Sequence, residues 1–226
     1  MCKISNTALS EIYHIRALAD DFKYLMESGE FADVTIVVEE HRFQCHKAIL
    51  ASRSNYFKAL FFNGMKESQS SGEIKLHGIK SQAFDRLLSY TYSGILDLIS
   101  FTLEEVVDLL SIAHQYCFTM LQDAICKYLA SILNDKNVCD LFEISGLYDI
   151  KLLRQQCQQF ADANAEQVLQ SDGFLTLSKS SLIDLLSRDS FFTQEIAIFN
   201  AVVQWLKANP KVDQDEVSQY LLKYSH

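Results

Sequence analysis

The sequence predicts two domains of different class: an α+β fold, a small sheet flanked by helices, over residues 1–133, and an all-α domain over residues 134–226. Three observations predict it. Short strand patterns, led by Asp33-Val34-Thr35-Ile36-Val37-Val38, occur before residue 100. From Thr102 onward the apolar spacing is helical nearly to the end. Seven glycines and one proline leave little loop punctuation, which favours helix throughout.

Taken in order, residues 11–27 carry Ile12, Ile15, Leu18, Phe22 and Leu25 at helical spacing, with Arg16, Asp20, Asp21 and Lys23 on the other face. This helix precedes any sheet it could pack on, so its stripe needs a partner. After the strand at 33–38, Glu39-Glu40-His41 reads as a turn and Arg42-Phe43-Gln44 as a return strand. His46 to Ala51 and Ser54 to Phe62 read as short helices, the second starting at a serine cap and ending at Asn63-Gly64. Glu73-Ile74-Lys75-Leu76 alternates like a half-buried strand. Ala83, Phe84, Leu87, Leu88 and Thr91 mark a helix that Gly94 stops, and Ile95 to Leu98 is a short strand or extended piece. Thr102 and Glu105 form a capping box ahead of a stripe of Leu103, Val106, Val107, Leu110, Ala113 and Cys117. Leu121, Ile125, Tyr128, Leu129 and Ile132 form the next stripe, and Asn134-Asp135-Lys136-Asn137 is the best domain boundary.

Beyond that boundary, helices are expected at 138–147, 150–164 and 165–170. A second capping box, Ser181 with Asp184, should precede a helix over Leu182–Ser187. Thr193 should open a last helix with Ile196, Phe199, Val202, Val203 and Leu206 on its apolar stripe. Glu216 to Tyr224 reads as a partial helix.

The totals exclude several function classes. Hydrophobic residues at 49% and charged residues at 22% are ordinary for a globular chain. A net charge of −9 repels phosphate backbones, so nucleic acid is a poor partner. No apolar run is long enough to span a bilayer, and the N-terminus lacks the apolar core of a signal peptide. A cytoplasmic location is expected, with the nucleus as the alternative. The six cysteines, Cys2, Cys45, Cys117, Cys126, Cys139 and Cys157, are scattered and read as buried free thiols.

Catalytic signals are missing. There is no Gly-rich phosphate loop, no H-E-x-x-H and no G-x-S-x-G. His114 and Cys117 sit three apart on a helix, but no second pair is spaced to complete a zinc site. No cofactor or metal is expected.

The run from Phe31-Ala32-Asp33 through Phe43, His46-Lys47-Ala48 and Ser54-Asn55-Tyr56-Phe57, with Tyr90-Thr91-Tyr92-Ser93-Gly94 later, resembles the BTB/POZ domain in order and spacing. Phe174-Leu175-Thr176-Leu177-Ser178, Leu185 to Ser190 and Ile198 to Trp205 resemble a BACK domain. The stretches Gly173–Lys179 and Arg188–Phe191 resemble a subgroup whose relatives carry discoidin-like β domains downstream, which implies that this chain is a fragment of a longer protein.

The resemblance implies a homodimer formed through the first helix, with Ile15, Leu18, Phe22 and Leu25 in the interface. The alternative is that this stripe packs on its own sheet. Asp33 and Lys47 match a charged pair near the family's dimer centre, although Asp33 could instead cap local backbone. The resemblance also implies cullin-3 as a partner, bound through a hydrophobic-x-acidic motif that Met65-Lys66-Glu67 matches, after Phe61. Tyr116 matches a second contact surface, with plain helix-end packing as its alternative. The expected function is a non-catalytic adaptor subunit of an E3 ubiquitin ligase, whose substrate protein, unknown, is bound by domains outside this chain. The alternative is a homo-oligomeric scaffold that binds no cullin.

Overall fold

The computed structural model describes residues 13–62 and 73–211. Packing divides the chain into two compact units, Met1–Thr119 and Met120–His226, one helix ahead of the polar turn at Asn134–Asn137.

The first unit is built on a three-stranded sheet in the order β2-β1-β3. β1 (Val34–Val38) pairs antiparallel with β2 (His41–Cys45) and parallel with β3 (Glu73–Leu76). In β1, Val34, Ile36 and Val38 are buried and the residues between are half-buried, the alternation that a one-sided strand requires. Arg42 on one edge strand and Glu73 on the other form an ion pair.

Among the described residues, six helices begin in this part of the chain: α1 (Ile15–Ser28), α2 (Lys47–Arg53), α3 (Asn55–Phe62), α4 (Ser81–Ser93), α5 (Leu103–Gln115) and α6 (Thr119–Ser131), the last lying almost wholly in the second unit. Ala83, Phe84, Leu87, Leu88 and Thr91 all bury on α4, as their spacing predicts, and Gly94 ends the helix at φ 70°. Thr102 and Glu105 form the expected capping box at the start of α5. The buried face of α5 is Val106, Leu109, Leu110, Ile112 and Ala113; Cys117 lies past the helix end, at φ 55°, and is exposed. On α6 the buried face includes Cys126, and Tyr128 is only half-buried. Residues 95–98 form no strand.

The second unit is helical: α6, then α7 (Val138–Leu147), α8 (Lys151–Ala163), α9 (Ala165–Leu169), α10 (Asp172–Leu175), α11 (Lys179–Leu186) and α12 (Glu195–Ala208). Two expectations are corrected here. The cap of α11 is Ser178, whose hydroxyl accepts from the Ser181 backbone N–H, so the helix starts three residues earlier than the Ser181–Asp184 pattern suggests. Asp184 instead accepts two hydrogen bonds from Arg154. On α12 the buried residues are Ile198, Ala201, Val202 and Trp205, whereas Ile196 and Phe199 face solvent. The physical reason is Trp205. Its indole N–H donates to the Leu177 carbonyl at 2.9 Å, which turns that side of the helix inward.

Trp205→Phe keeps most of the buried area but leaves the Leu177 carbonyl without its donor. The expected cost is about 1–3 kcal/mol of unfolding free energy. Urea denaturation followed by circular dichroism measures it, since Trp205 is the chain's one tryptophan and its fluorescence disappears with the substitution.

Candidate protein-interaction surfaces

The first surface is α1. None of its fourteen residues is fully buried, although it packs along α4. Ile15 and Leu18 are 72% and 56% exposed, while Phe22 and Leu25 are half-buried. The C-terminal half of the stripe thus leans on its own domain, while Ile15 and Leu18 in the N-terminal half face solvent. Between α1, α2 and the end of α4 runs an open groove of about 270 Å³, lined by Ile15, Leu18, Phe22, Ile49, Thr91 and Gly94 among others.

A buried hydrogen-bond knot fixes α1 relative to the sheet. The Tyr92 hydroxyl accepts the backbone N–H of His46 at 3.0 Å and lies 2.8 Å from His46 Nδ1. His46 Nε2 lies 2.7 Å from the Glu30 carbonyl oxygen, just past the end of α1. A carbonyl only accepts, so Nε2 carries the proton and the tyrosine hydroxyl donates to Nδ1. Burial pushes the Tyr92 phenol well above its ordinary range, which keeps that donor proton in place. Asp33 Oδ1 accepts the Lys47 backbone N–H at 2.7 Å. Of its two alternatives, the structure shows the local one: Asp33 covers an unsatisfied donor at the start of α2.

The second surface is the end of α3. Phe57, Leu60 and Phe61 bury at i, i+3 and i+4. Phe61 stacks on Phe57 with ring centroids 5.7 Å apart, and Phe57 stacks on Tyr116 at 5.6 Å. Tyr116 is 2% exposed and also meets Tyr56 edge-on. Phe61 and Tyr116, expected at a partner surface, are thus core residues. Their rings hold up the end of α3 but offer no free face. Phe62, one helical step on, is 64% exposed. Met65, Lys66 and Glu67 lie outside the described residues.

In the second unit, Glu143 on α7 accepts from both the backbone N–H and the hydroxyl of Ser178, tying α7 to the start of α11. Arg154 lies over the Phe142 ring, 4.2 Å from its centroid, while it pairs with Asp184. Leu147 and Leu152, flanking the α7–α8 turn, are exposed.

Chemistry is quiet. Among the described residues no group of three His, Cys, Asp or Glu side chains is placed to hold a metal, and no helix is long and apolar enough to cross a membrane. Burial raises the thiols of Cys45 and Cys157 to about 12 and those of Cys126 and Cys139 to about 11.

Residue spacing revealed α1 but missed the Tyr92 hydroxyl, whose partner lies 46 residues away in sequence. It also missed Phe31 and Phe62, which look like core aromatics on composition alone and turn out to face solvent.

A three-stranded sheet wrapped by helices, carrying an uncovered amphipathic helix and followed by a helical unit, is the architecture of an interaction module. The comparisons agree. The BTB/POZ domain family matches residues 22–133 and the BACK (BTB And C-terminal Kelch) family matches residues 138–224; the chain belongs to the BTB–BACK family. BTB/POZ domain-containing protein 9 of Rattus norvegicus is 44% identical over 213 residues, which is 94% of this chain and 35% of that protein. Its Homo sapiens counterpart is 43% identical over the same span. Human Kelch-like protein 24 is 31% identical over 194 residues, covering 85% of this chain and 32% of its own length. The BTB domain of human gigaxonin, a solved structure, is 24% identical with a TM-score of 0.42, covering 53% of this chain and 96% of that one. The chain spans about a third of the length of the curated relatives it matches.

A thiol kept protonated by burial does not react as a nucleophile. Brief alkylation of the folded chain at pH 8, mapped by mass spectrometry, should label Cys117 and leave Cys45, Cys126, Cys139 and Cys157 protected until denaturant is added.

Proposed function

We propose that this chain is the adaptor portion of a cullin-3 ubiquitin ligase: a two-fold dimer, non-catalytic, that docks the cullin N-terminal domain and carries a substrate reader outside residues 1–226. The observation that carries the reading is the pairing of a BTB/POZ domain with a BACK domain on one chain. A cullin adaptor must bind two things at once and react with neither. The BTB domain supplies a self-complementary helix and a docking loop, and the BACK helices extend the contact surface.

The geometry supports this in two places. α1 presents an apolar half-stripe and an open groove, as a two-fold interface requires. The end of α3 is held rigidly by the Phe57–Phe61–Tyr116 stack, so the residues that follow start from a fixed position. Met65 then supplies a flexible apolar plug and Glu67 a carboxylate for donors on the cullin. Phe61 and Tyr116 serve this site as its support.

Calorimetric titration with the cullin-3 N-terminal domain tests the docking loop. Wild-type chain should bind, and Met65→Ala with Glu67→Ala should weaken binding at least about tenfold, roughly 1.4 kcal/mol. No binding by the wild type would leave a scaffold that uses no cullin.

The dimer has its own test. Phe22→Asp places a charge in an apolar contact, a change worth several kcal/mol when unpaired. Light scattering at micromolar concentration should show a dimer for the wild type and a monomer for the variant.

A further inference from the structure

The turn after α1 contains an anomaly. Phe31 sits at φ 62°, in the left-handed region, and its side chain is 84% exposed. The Ala32 N–H donates to the Gly29 carbonyl, which makes Phe31 the third residue of a tight turn. A turn of this hand normally gives that position to glycine or asparagine, because a side chain there crowds its own backbone. Gly29 is already left-handed at φ 68°. The surroundings hold the conformation in place: Glu30 N–H donates to the Ser28 hydroxyl, the Glu30 carbonyl meets His46 Nε2, and Asp33 N–H donates to the Cys45 carbonyl. A strained backbone combined with a large apolar ring in water is unfavourable twice over, and among the described residues the ring stays 84% exposed.

We infer that Phe31 is an anchor of the dimer contact, packing on the N-terminal half of the partner copy's α1 and into the groove beside it. The inference rests on the two-fold self-association proposed above, and symmetry selects the occupant. In a two-fold contact, whatever residue i faces must face i in return. Ile15 and Leu18 are exposed at one end of α1, and Phe31 is exposed just beyond the other end, about 20 Å away at 1.5 Å per residue. Phe22 lies midway between Ile15 and Phe31. Two copies of α1 crossing antiparallel near Phe22 bring each Phe31 opposite the other copy's Ile15 and Leu18. The groove those residues line, about 270 Å³, has room for a phenyl ring. The strained turn aims the ring outward, and the His46–Tyr92 knot keeps it so aimed.

The test is a sedimentation series on wild type, Phe31→Ser and Phe31→Gly, together with a photocrosslinking benzoylphenylalanine placed at position 31. Both substitutions should raise the dimer dissociation constant at least tenfold. Phe31→Gly, which suits the backbone, should leave the urea midpoint of the monomer unchanged or higher, an outcome that a merely structural phenylalanine would not give. In mixed isotope-labelled and unlabelled protein, the crosslink should join different copies and map to the tryptic peptide Ala17–Lys23, which holds Leu18 and Phe22. Wild-type dimerisation by the Phe31 variants, or a crosslink confined to one copy, overturns the inference and leaves the dimer standing. A wild-type chain that stays monomeric overturns both.

Discussion

Three hydrogen bonds converge on His46, and they join parts of the first unit that its sheet alone does not hold. The ring and backbone of this one residue connect the exit of β2, the start of α2, the last turn of α4 through Tyr92, and the turn after α1 through the Glu30 carbonyl. A sheet of three short strands covers little area, and the main packing of α1 is along α4. Without the knot, α1 would be attached by a half-buried stripe and a flexible turn. With it, the helix is held at a defined angle although none of its residues is fully buried. Buried polar networks are costly when incomplete and rigid when every partner is satisfied, and this one is satisfied in a single tautomer.

The functional consequence follows from what the knot leaves uncovered. Fixing α1 at its C-terminal end exposes Ile15 and Leu18 at the other, and leaves a groove beside them. A surface that is both apolar and rigid is suited to a two-fold contact, because little ordering entropy remains to be lost on association. The same logic applies at the end of α3, where the stacked rings of Phe57, Phe61 and Tyr116 hold the helix end in place. In the second unit, Trp205 and the Glu143–Ser178 contact take the corresponding role, anchoring α12 by one polar bond and α11 by two to neighbouring elements.

Much of this was legible in the sequence. Periodicity found α7 at Val138–Leu147 to the residue and five of the six buried positions of α4, leaving out Tyr92. Those elements have one apolar face and clear ends. Reading failed where two faces compete. α12 carries apolar residues around more than half its circumference, so the expected stripe Ile196–Phe199–Val202–Val203–Leu206 shares only Val202 with the buried set of Ile198, Ala201, Val202 and Trp205, the side that the Trp205 bond to the Leu177 carbonyl holds inward. Ser181 and Ser178 both fit a cap pattern, and the choice depends on Glu143, which is 35 residues away. Phe61 and Phe62 are identical in composition and differ by one 100° helical step, which buries one and exposes the other. Cys117 leaves the α5 stripe because the backbone turns left-handed there, a feature no spacing rule announces for cysteine. Asp33 and Lys47 came together, but through the Lys47 backbone rather than a charge pair.

The central claim is that one chain joins self-association to cullin docking, so that a dimer presents two equivalent docking surfaces. The direct test is the mass of the complex formed with the cullin-3 N-terminal domain, measured by light scattering in line with size-exclusion chromatography. A complex of two chains and two cullin domains is the predicted result. Separate elution of the two proteins, or a one-to-one complex that persists as concentration rises, would contradict the account.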